Sequence, residues 1–185
     1  KISSEDKVRS IHLAHILLQQ SKIIKKRKNK ISLTNSGKKL LKNKNLLLQN
    51  ILQTYCTVFN WAYFDSHDNP DIGQFGFGYT LFLLANFGDQ KRPVKFYSDI
   101  YFDTLPVLHS AIIENPINLI LNFDQSCYFT RTFDQFCKNF GLIELFTKQS
   151  FYIDQDDKVK KSQLFDQLIS IMPPALLSKA MLGIS

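Results

Sequence analysis

A chain of 185 residues, 44% of them hydrophobic and 16 of them Phe, has enough apolar content for one sizeable core or two small ones, which excludes an intrinsically disordered protein. Its longest apolar runs, such as residues 79–85, are too short to cross a bilayer, so a cytoplasmic protein without membrane contact is expected. The net charge of +7 conceals an asymmetry: residues 1–64 carry 13 Lys/Arg against only Glu5 and Asp6, a balance of +11, whereas residues 65–185 carry 10 Lys/Arg against 14 Asp/Glu, a balance of −4.

A one-sided basic field attracts polyanions. Richness in Lys, Asn, Ile and Phe points to an AT-rich bacterial genome, and a first residue of Lys instead of Met reads as a fragment. Cys56, Cys127 and Cys137 are odd in number and contain no CxxC pair, so they are expected as reduced core thiols and not as a zinc knuckle or disulfide framework.

In chain order, residues 5–20 space Val8, Ile11, Leu13, Ile16 and Leu17 for a helix capped by Ser3 or Ser4. Ile23–Ile24 and Ile31–Leu33 are β-prone runs flanking the basic stretch KKRKNK, which predicts a hairpin. Thr34 or Asn35 then caps a helix bearing Leu40 and Leu41, and residues 45–63 form a long amphipathic helix. Residues 79–87 give a short apolar helix ended by Gly88. Pro93 opens an aromatic helix stopped near Pro106, and residues 107–114 are expected to form another.

The last third reads as a helix over 131–140 stopped by Gly141, a strand LIELFT, a hairpin of SFYI and KVKKS around DQDD, and a helix capped by Ser162. Its order matches that of residues 11–41, which suggests a degenerate internal repeat over about 126–170 with an acidic turn. The expected fold class is therefore mainly α with short β-hairpins (α+β). Residues 1–64 form a basic unit with its connecting helix, and residues 65–185 a helical region containing the repeat.

The order helix, basic hairpin, then ISLTNSGKKLL resembles the winged helix-turn-helix superfamily over residues 5–42. That resemblance implies winged-helix-like units, two in tandem if the repeat holds, joined by amphipathic helices. It puts residues 5–20 in the recognition-helix position and residues 22–33 in the wing. The two helices that usually precede a recognition helix are missing ahead of residue 5. The segments FNWAYFD and LFLLANFGD are also similar to winged-helix-like C-terminal regions of uncharacterised bacterial proteins, a likeness that carries no activity.

The stretch FDSHDNPDIGQFGFGY, residues 64–79, holds the densest set of potential ligands. An EF-hand count from Asp65 puts Pro70 where Gly is needed and Gly76 where a bidentate Glu belongs. The glycine order is reversed from a dinucleotide fingerprint, and no GK[ST] follows. His67 with Asp65, Asp68 and Asp71 is left as a weak metal candidate, set against an exposed Asn-Pro turn, which is the expected reading. His12 and His15 lack a third ligand, His109 stands alone, and Cys56 and Cys127 have no neighbouring catalytic partner. No catalytic residue and no cofactor is expected.

Two functional readings follow. In the first, a non-enzymatic regulatory protein binds double-stranded DNA or another polyanion: Arg9, His12 and Gln19 face a groove, while Lys22, Lys25, Lys26, Arg27, Lys28, Lys30, Lys38 and Lys39 grip phosphates. In the second, the units scaffold a protein partner or self-association, with the aromatic stretch FYSDIYF as docking surface. An enzyme ranks third.

Overall fold

The computed structural model describes residues 8–65, 67, 69–109, 123–147 and 153–171. The chain is mainly helical with two small antiparallel sheets, an α+β fold, and divides into two compact units, Lys1–Pro70 and Asp71–Ser185.

The first unit opens with α1, Arg9–Gln20. The Ser3 or Ser4 cap expected for it lies outside the described residues, and Val8 occupies the N-cap without a side-chain bond. The other end closes in a Schellman motif. The Lys22 N–H donates to the Gln19 carbonyl and the Ile23 N–H to the Leu18 carbonyl, both at 3.0 Å. Lys22 takes the left-handed position, φ 58°, that glycine usually fills.

Strands β1 (Ile24–Arg27) and β2 (Lys30–Leu33) pair antiparallel from Ile24↔Leu33 to Arg27↔Lys30. The connection is narrower than the basic run suggests. Only Lys28 (φ 48°) and Asn29 (φ 59°) form the turn, a two-residue loop of the type I′ kind whose twist suits a hairpin. The other basic residues therefore lie in strands, with side chains alternating between two faces.

Thr34 caps α2, Asn35–Leu40, by accepting from the Gly37 N–H at 2.8 Å. Asn43 caps α3, Lys44–Thr57, through the N–H groups of Asn45 and Leu46. The expected helix over 45–63 stops early. The N–H groups of Val58 and Phe59 converge on the Thr54 carbonyl, and Asn60 restarts the chain as a 3₁₀ turn, Trp61–Phe64. The break lets the Trp61 indole donate to the Tyr55 carbonyl at 2.9 Å. The fully buried Tyr55, Phe59 and Trp61 then build the core with Leu17 and Ile23.

The second unit begins where its loop is tied to its own helices. Gly73 (φ 83°) and Gly76 (φ 76°) make turns that a Cβ would strain. The Gly73 N–H donates to the Tyr101 hydroxyl at 3.0 Å, which donates onward to the Phe75 carbonyl, while buried Arg131 donates to the Ile72 carbonyl.

Helix α4 (Phe77–Phe87) leads through β3 (Arg92–Pro93) into α5 (Val94–Thr104) and a 3₁₀ turn, Pro106–His109. Most of the helix expected over 107–114 falls outside the described residues. The helix expected at 131–140 starts earlier, as α6 (Phe123–Tyr128), and runs on in π-helical turns over Phe129–Lys138. Strands β4 (Ile143–Phe146) and β5 (Lys158–Lys161) precede α7, Gln163–Leu168.

One expectation is corrected here. KVKK pairs with β4 and β3, not with SFYI, giving the sheet order β3-β5-β4; residues 150–152 lie outside the described residues. Gly88 ends α4 as expected, with φ −81° and its N–H donating to the Leu84 carbonyl. It is buried because its carbonyl receives the Lys161 N–H at 2.8 Å and a Cβ there would press on the β5 side chain.

The two units share one frame, bond for bond. In the first, the Thr34 hydroxyl donates to the Lys22 carbonyl at 2.6 Å and its N–H to the Ile23 carbonyl at 3.0 Å. In the second, the Ser162 hydroxyl donates to the Gly141 carbonyl at 2.6 Å and its N–H to the Leu142 carbonyl at 3.0 Å. Gly141 (φ 67°) and Leu142 close the preceding helix as Lys22 and Ile23 do, through the carbonyls of Lys138 and Cys137. Ser162 also caps α7 by accepting from the Phe165 N–H at 3.1 Å. Both hairpins start one residue after that closure and end one residue before the hydroxyl.

Candidate nucleic-acid interface

The register of the hairpin sorts its cations. Side chains alternate along a strand, and directly paired residues share a face. Lys25, Arg27 and Lys30 therefore project from one face with Ser32, while Lys26 projects from the other with Ile24, Ile31 and Leu33. All three cations on the first face are exposed and lie within roughly 7 Å of one another by strand geometry. Lys28 sits at the turn.

Lys22 is exposed at the base of the hairpin, and Lys38 and Lys39 are exposed in the last turn of α2. That last position also suits cations for a local reason, since it faces the negative end of the helix dipole. The sequence holds no acidic residue between Asp6 and Asp65. The positive potential of this segment is thus uncompensated by neighbours in the chain.

Helix α1 is less suited to reading a groove than its position suggests. Arg9 is exposed, but its guanidinium lies over the Phe64 ring, 4.9 Å from the centroid. The half-buried His12 ring packs against Tyr63 and Phe64 at 5.9 and 5.7 Å. Gln19 is half-buried too, and the glutamine that is fully exposed is Gln20. The other exposed positions of α1 are Ser10, Ile11 and Ala14, which offer little to a base edge.

In the second unit the equivalent helix is closed to any groove. The π-helical stretch buries seven of its ten residues, including Phe133, Phe136 and Arg131. The aromatics of FYSDIYF are also largely core: Tyr97, Tyr101 and Phe102 are buried, and Phe96 is half-buried under the Arg92 guanidinium. That segment is not the docking surface sequence composition suggested.

The loop ahead of the second unit uses its polar groups on its own backbone. Asp65 accepts from the His67 N–H and His67 Nδ1 accepts from the Asn69 N–H, both at 3.2 Å. These are turn contacts. Asp71 is exposed, Asp68 lies outside the described residues, and no group of three His, Cys, Asp or Glu able to hold a metal occurs among the described residues. All three cysteines are buried, and burial pushes the Cys56 thiol up to about 12, which disfavours a thiolate at neutral pH. Among the described residues no helix is long and apolar enough to cross a membrane.

The signal that distinguishes the cations was present in the sequence as strand alternation, but it needs the two-residue turn to fix the register. Comparison with protein-family models, curated proteins and solved structures finds no match.

Proposed function

We propose that the chain is a non-enzymatic winged-helix protein of the bacterial cytoplasm that binds nucleic acid, double-stranded DNA first, through its basic hairpin. The observation that carries this reading is the single face of Lys25, Arg27 and Lys30, exposed and set in a stretch of sequence with no acidic residue between Asp6 and Asp65. Three such cations neutralise phosphates and release counterions on binding. Only Arg27 among them has the fork suited to bidentate base recognition, and Arg9 is committed to stacking on Phe64. Backbone contact with weak sequence preference is the mode this favours.

The winged-helix reading is supported by the shared frame of capped helix and hairpin. It is supported further by the second unit's order of helix, strand, helix, helix, strand, strand with the sheet β3-β5-β4. Because its third helix is buried, the second unit is read as a scaffold. Regulation is the role that suits such a binder.

The test is anisotropy of a fluorescein-labelled 20-base-pair duplex titrated with protein at several salt concentrations. Replacing Lys25, Arg27 and Lys30 together by Gln is expected to lower the salt slope by about 3 and the affinity at low salt by at least tenfold. Lys26→Gln alone changes either far less. No binding at low salt, or a triple variant that binds like the parent, overturns the reading.

A further inference from the structure

The shared frame sets one cross-strand pair of the first hairpin against its counterpart in the second. Counting back two residues from each capping hydroxyl gives Ser32 in β2 and Lys160 in β5. Lys160 stands directly opposite exposed Glu144, an opposite-charge pair of the kind that stabilises a ladder. Ser32 stands directly opposite Lys25, so here a cation faces a neutral hydroxyl. The second hairpin has its anion written into the sequence; the first has a group that can acquire one.

Ser32 is placed to do so. Its side chain is exposed on the face of Lys25, Arg27 and Lys30, and it makes no hydrogen bond among the described residues. Neighbouring hydroxyls are committed. Ser21 is buried and donates to the Leu18 carbonyl at 3.2 Å, and Thr34 holds the corner between Lys22 and Gly37. On one face of a ladder, directly opposite Cβ atoms lie about 5 Å apart and diagonal ones about 7 Å. Lys25 is the opposite neighbour of Ser32 and Arg27 the diagonal one, while Lys30 lies two residues along the same strand, about 7 Å away. All three long side chains can reach a group on the Ser32 oxygen. Arg27, Lys28 and Lys30 also precede Ser32 in sequence, a charge pattern that suits a kinase with an acidic substrate groove.

We propose that Ser32 is a phosphorylation site whose phosphate turns off the basic face, a regulation that rests on the nucleic-acid reading above. The donor is ATP, used by a serine kinase selective for basic sequence. The Ser32 oxygen attacks the γ-phosphorus and gives its proton to a base of the kinase. The bond from that phosphorus to the bridging oxygen breaks, and ADP leaves. At pH 7 the new group carries about −1.5 to −2 charges and three acceptor oxygens. Lys25, Arg27 and Lys30 close on it through charge-assisted hydrogen bonds. The face falls from three positive charges to about one, and its cations are no longer offered to a phosphate backbone.

The test uses the full chain with phosphoserine encoded at position 32. A control of equal charge carries phosphoserine in place of Gln53, which is exposed in α3. Each is titrated with the fluorescein-labelled 20-base-pair duplex and, without nucleic acid, followed by phosphorus NMR against pH. Phosphate at Ser32 should weaken duplex binding at low salt at least tenfold and lower the salt slope by about 3. The control should weaken it no more than threefold, and Ser32→Ala should bind like the parent. The phosphate at position 32 should also titrate at lower pH than that at 53, because nearby cations favour the dianion; Lys25→Gln should bring the two closer. Mass spectrometry of the chain recovered from its native cells should find phosphate on Ser32 and not on Thr34 or Ser36.

Unchanged duplex binding with phosphate at Ser32, or equal weakening by the control, overturns the proposal. So does a phosphate at 32 that titrates like the one at 53, or a chain from native cells that carries none on Ser32. A parent chain that binds no duplex overturns the nucleic-acid reading itself. That failure is read separately, since the phosphorus titration reports capture by the three cations without any nucleic acid present.

Discussion

A Cβ added to Gly37 would collide with the carbonyl oxygen of Ile23: the first turn of α2 lies in backbone contact with the exit of α1. This contact is why glycine occupies a helix interior, where it costs close to 1 kcal/mol against alanine. Gly37→Ala should therefore destabilise the first unit despite its better helix propensity, by about 1–3 kcal/mol for a misfit in a tight contact. Urea unfolding followed by Trp61, the single tryptophan of the chain and part of this unit's core, measures it.

Thr34 holds the same corner by its hydroxyl, donating to Lys22 and accepting from Gly37. Thr34→Val keeps the shape and removes both bonds. A loss of about 1–2 kcal/mol is expected from a lost cap and an orphaned carbonyl, whereas Thr34→Ser should retain most of the stability. Ser162→Ala is the counterpart in the second unit and should lower the midpoint read by its buried tyrosines.

Lys22 separates stability from binding. As a left-handed lysine it carries backbone strain on the order of 1 kcal/mol. Lys22→Gly should leave the first unit as stable as the parent or slightly more so, while reducing the salt slope of duplex binding by about 0.9 if the lysine meets a phosphate. Thermal melts and salt titrations of the same preparation give both numbers.

Alkali should act on the second unit through its tyrosines. Burial pushes the Tyr97 and Tyr101 hydroxyls up to about 12 and raises that of Tyr128 as well, although the Thr80 hydroxyl bonds Tyr128. The folded chain holds these protons more tightly than the unfolded chain, where a tyrosine titrates near 10. Stability is thus complete below about pH 10 and falls as the pH rises toward 12. Phenolate absorbance at 295 nm should show the exposed tyrosines titrating first and the buried ones in a cooperative step with unfolding. Smooth titration of all seven would contradict this packing.

What the sequence made legible was local chemistry. Thr34 and Ser162 announce their helices because a capping hydroxyl acts within three residues, and Gly141 marks a helix end for the same reason. Strand β3 was not legible, since an Arg-Pro pair becomes a strand only by meeting Val159 and Lys158 far along the chain. Neither was the helix break at Val58, which follows from how Tyr55 and Trp61 pack. Lysine in a left-handed cap at position 22 ran against residue preference. The aromatics of FYSDIYF could equally have been core or surface, because composition fixes hydrophobicity and not which side of a helix meets a neighbour. On the interface, the basic run was visible at once, but its division into two faces waited on the turn at Lys28 and Asn29.

The frame fastens both strands at their open end, from Lys22 to Thr34 and from Gly141 to Ser162, and does not itself reach the tip. Between the paired strands one hairpin needs Lys28 and Asn29, and the other spans residues 147–157. Lengthening a loop on this scale costs only about 1.5 kcal/mol in closure entropy. A scaffold with this division of labour can exchange one tip for another without refitting its base. Grafting a foreign loop between Arg27 and Lys30 is thus a route to new binding specificities on an unchanged core.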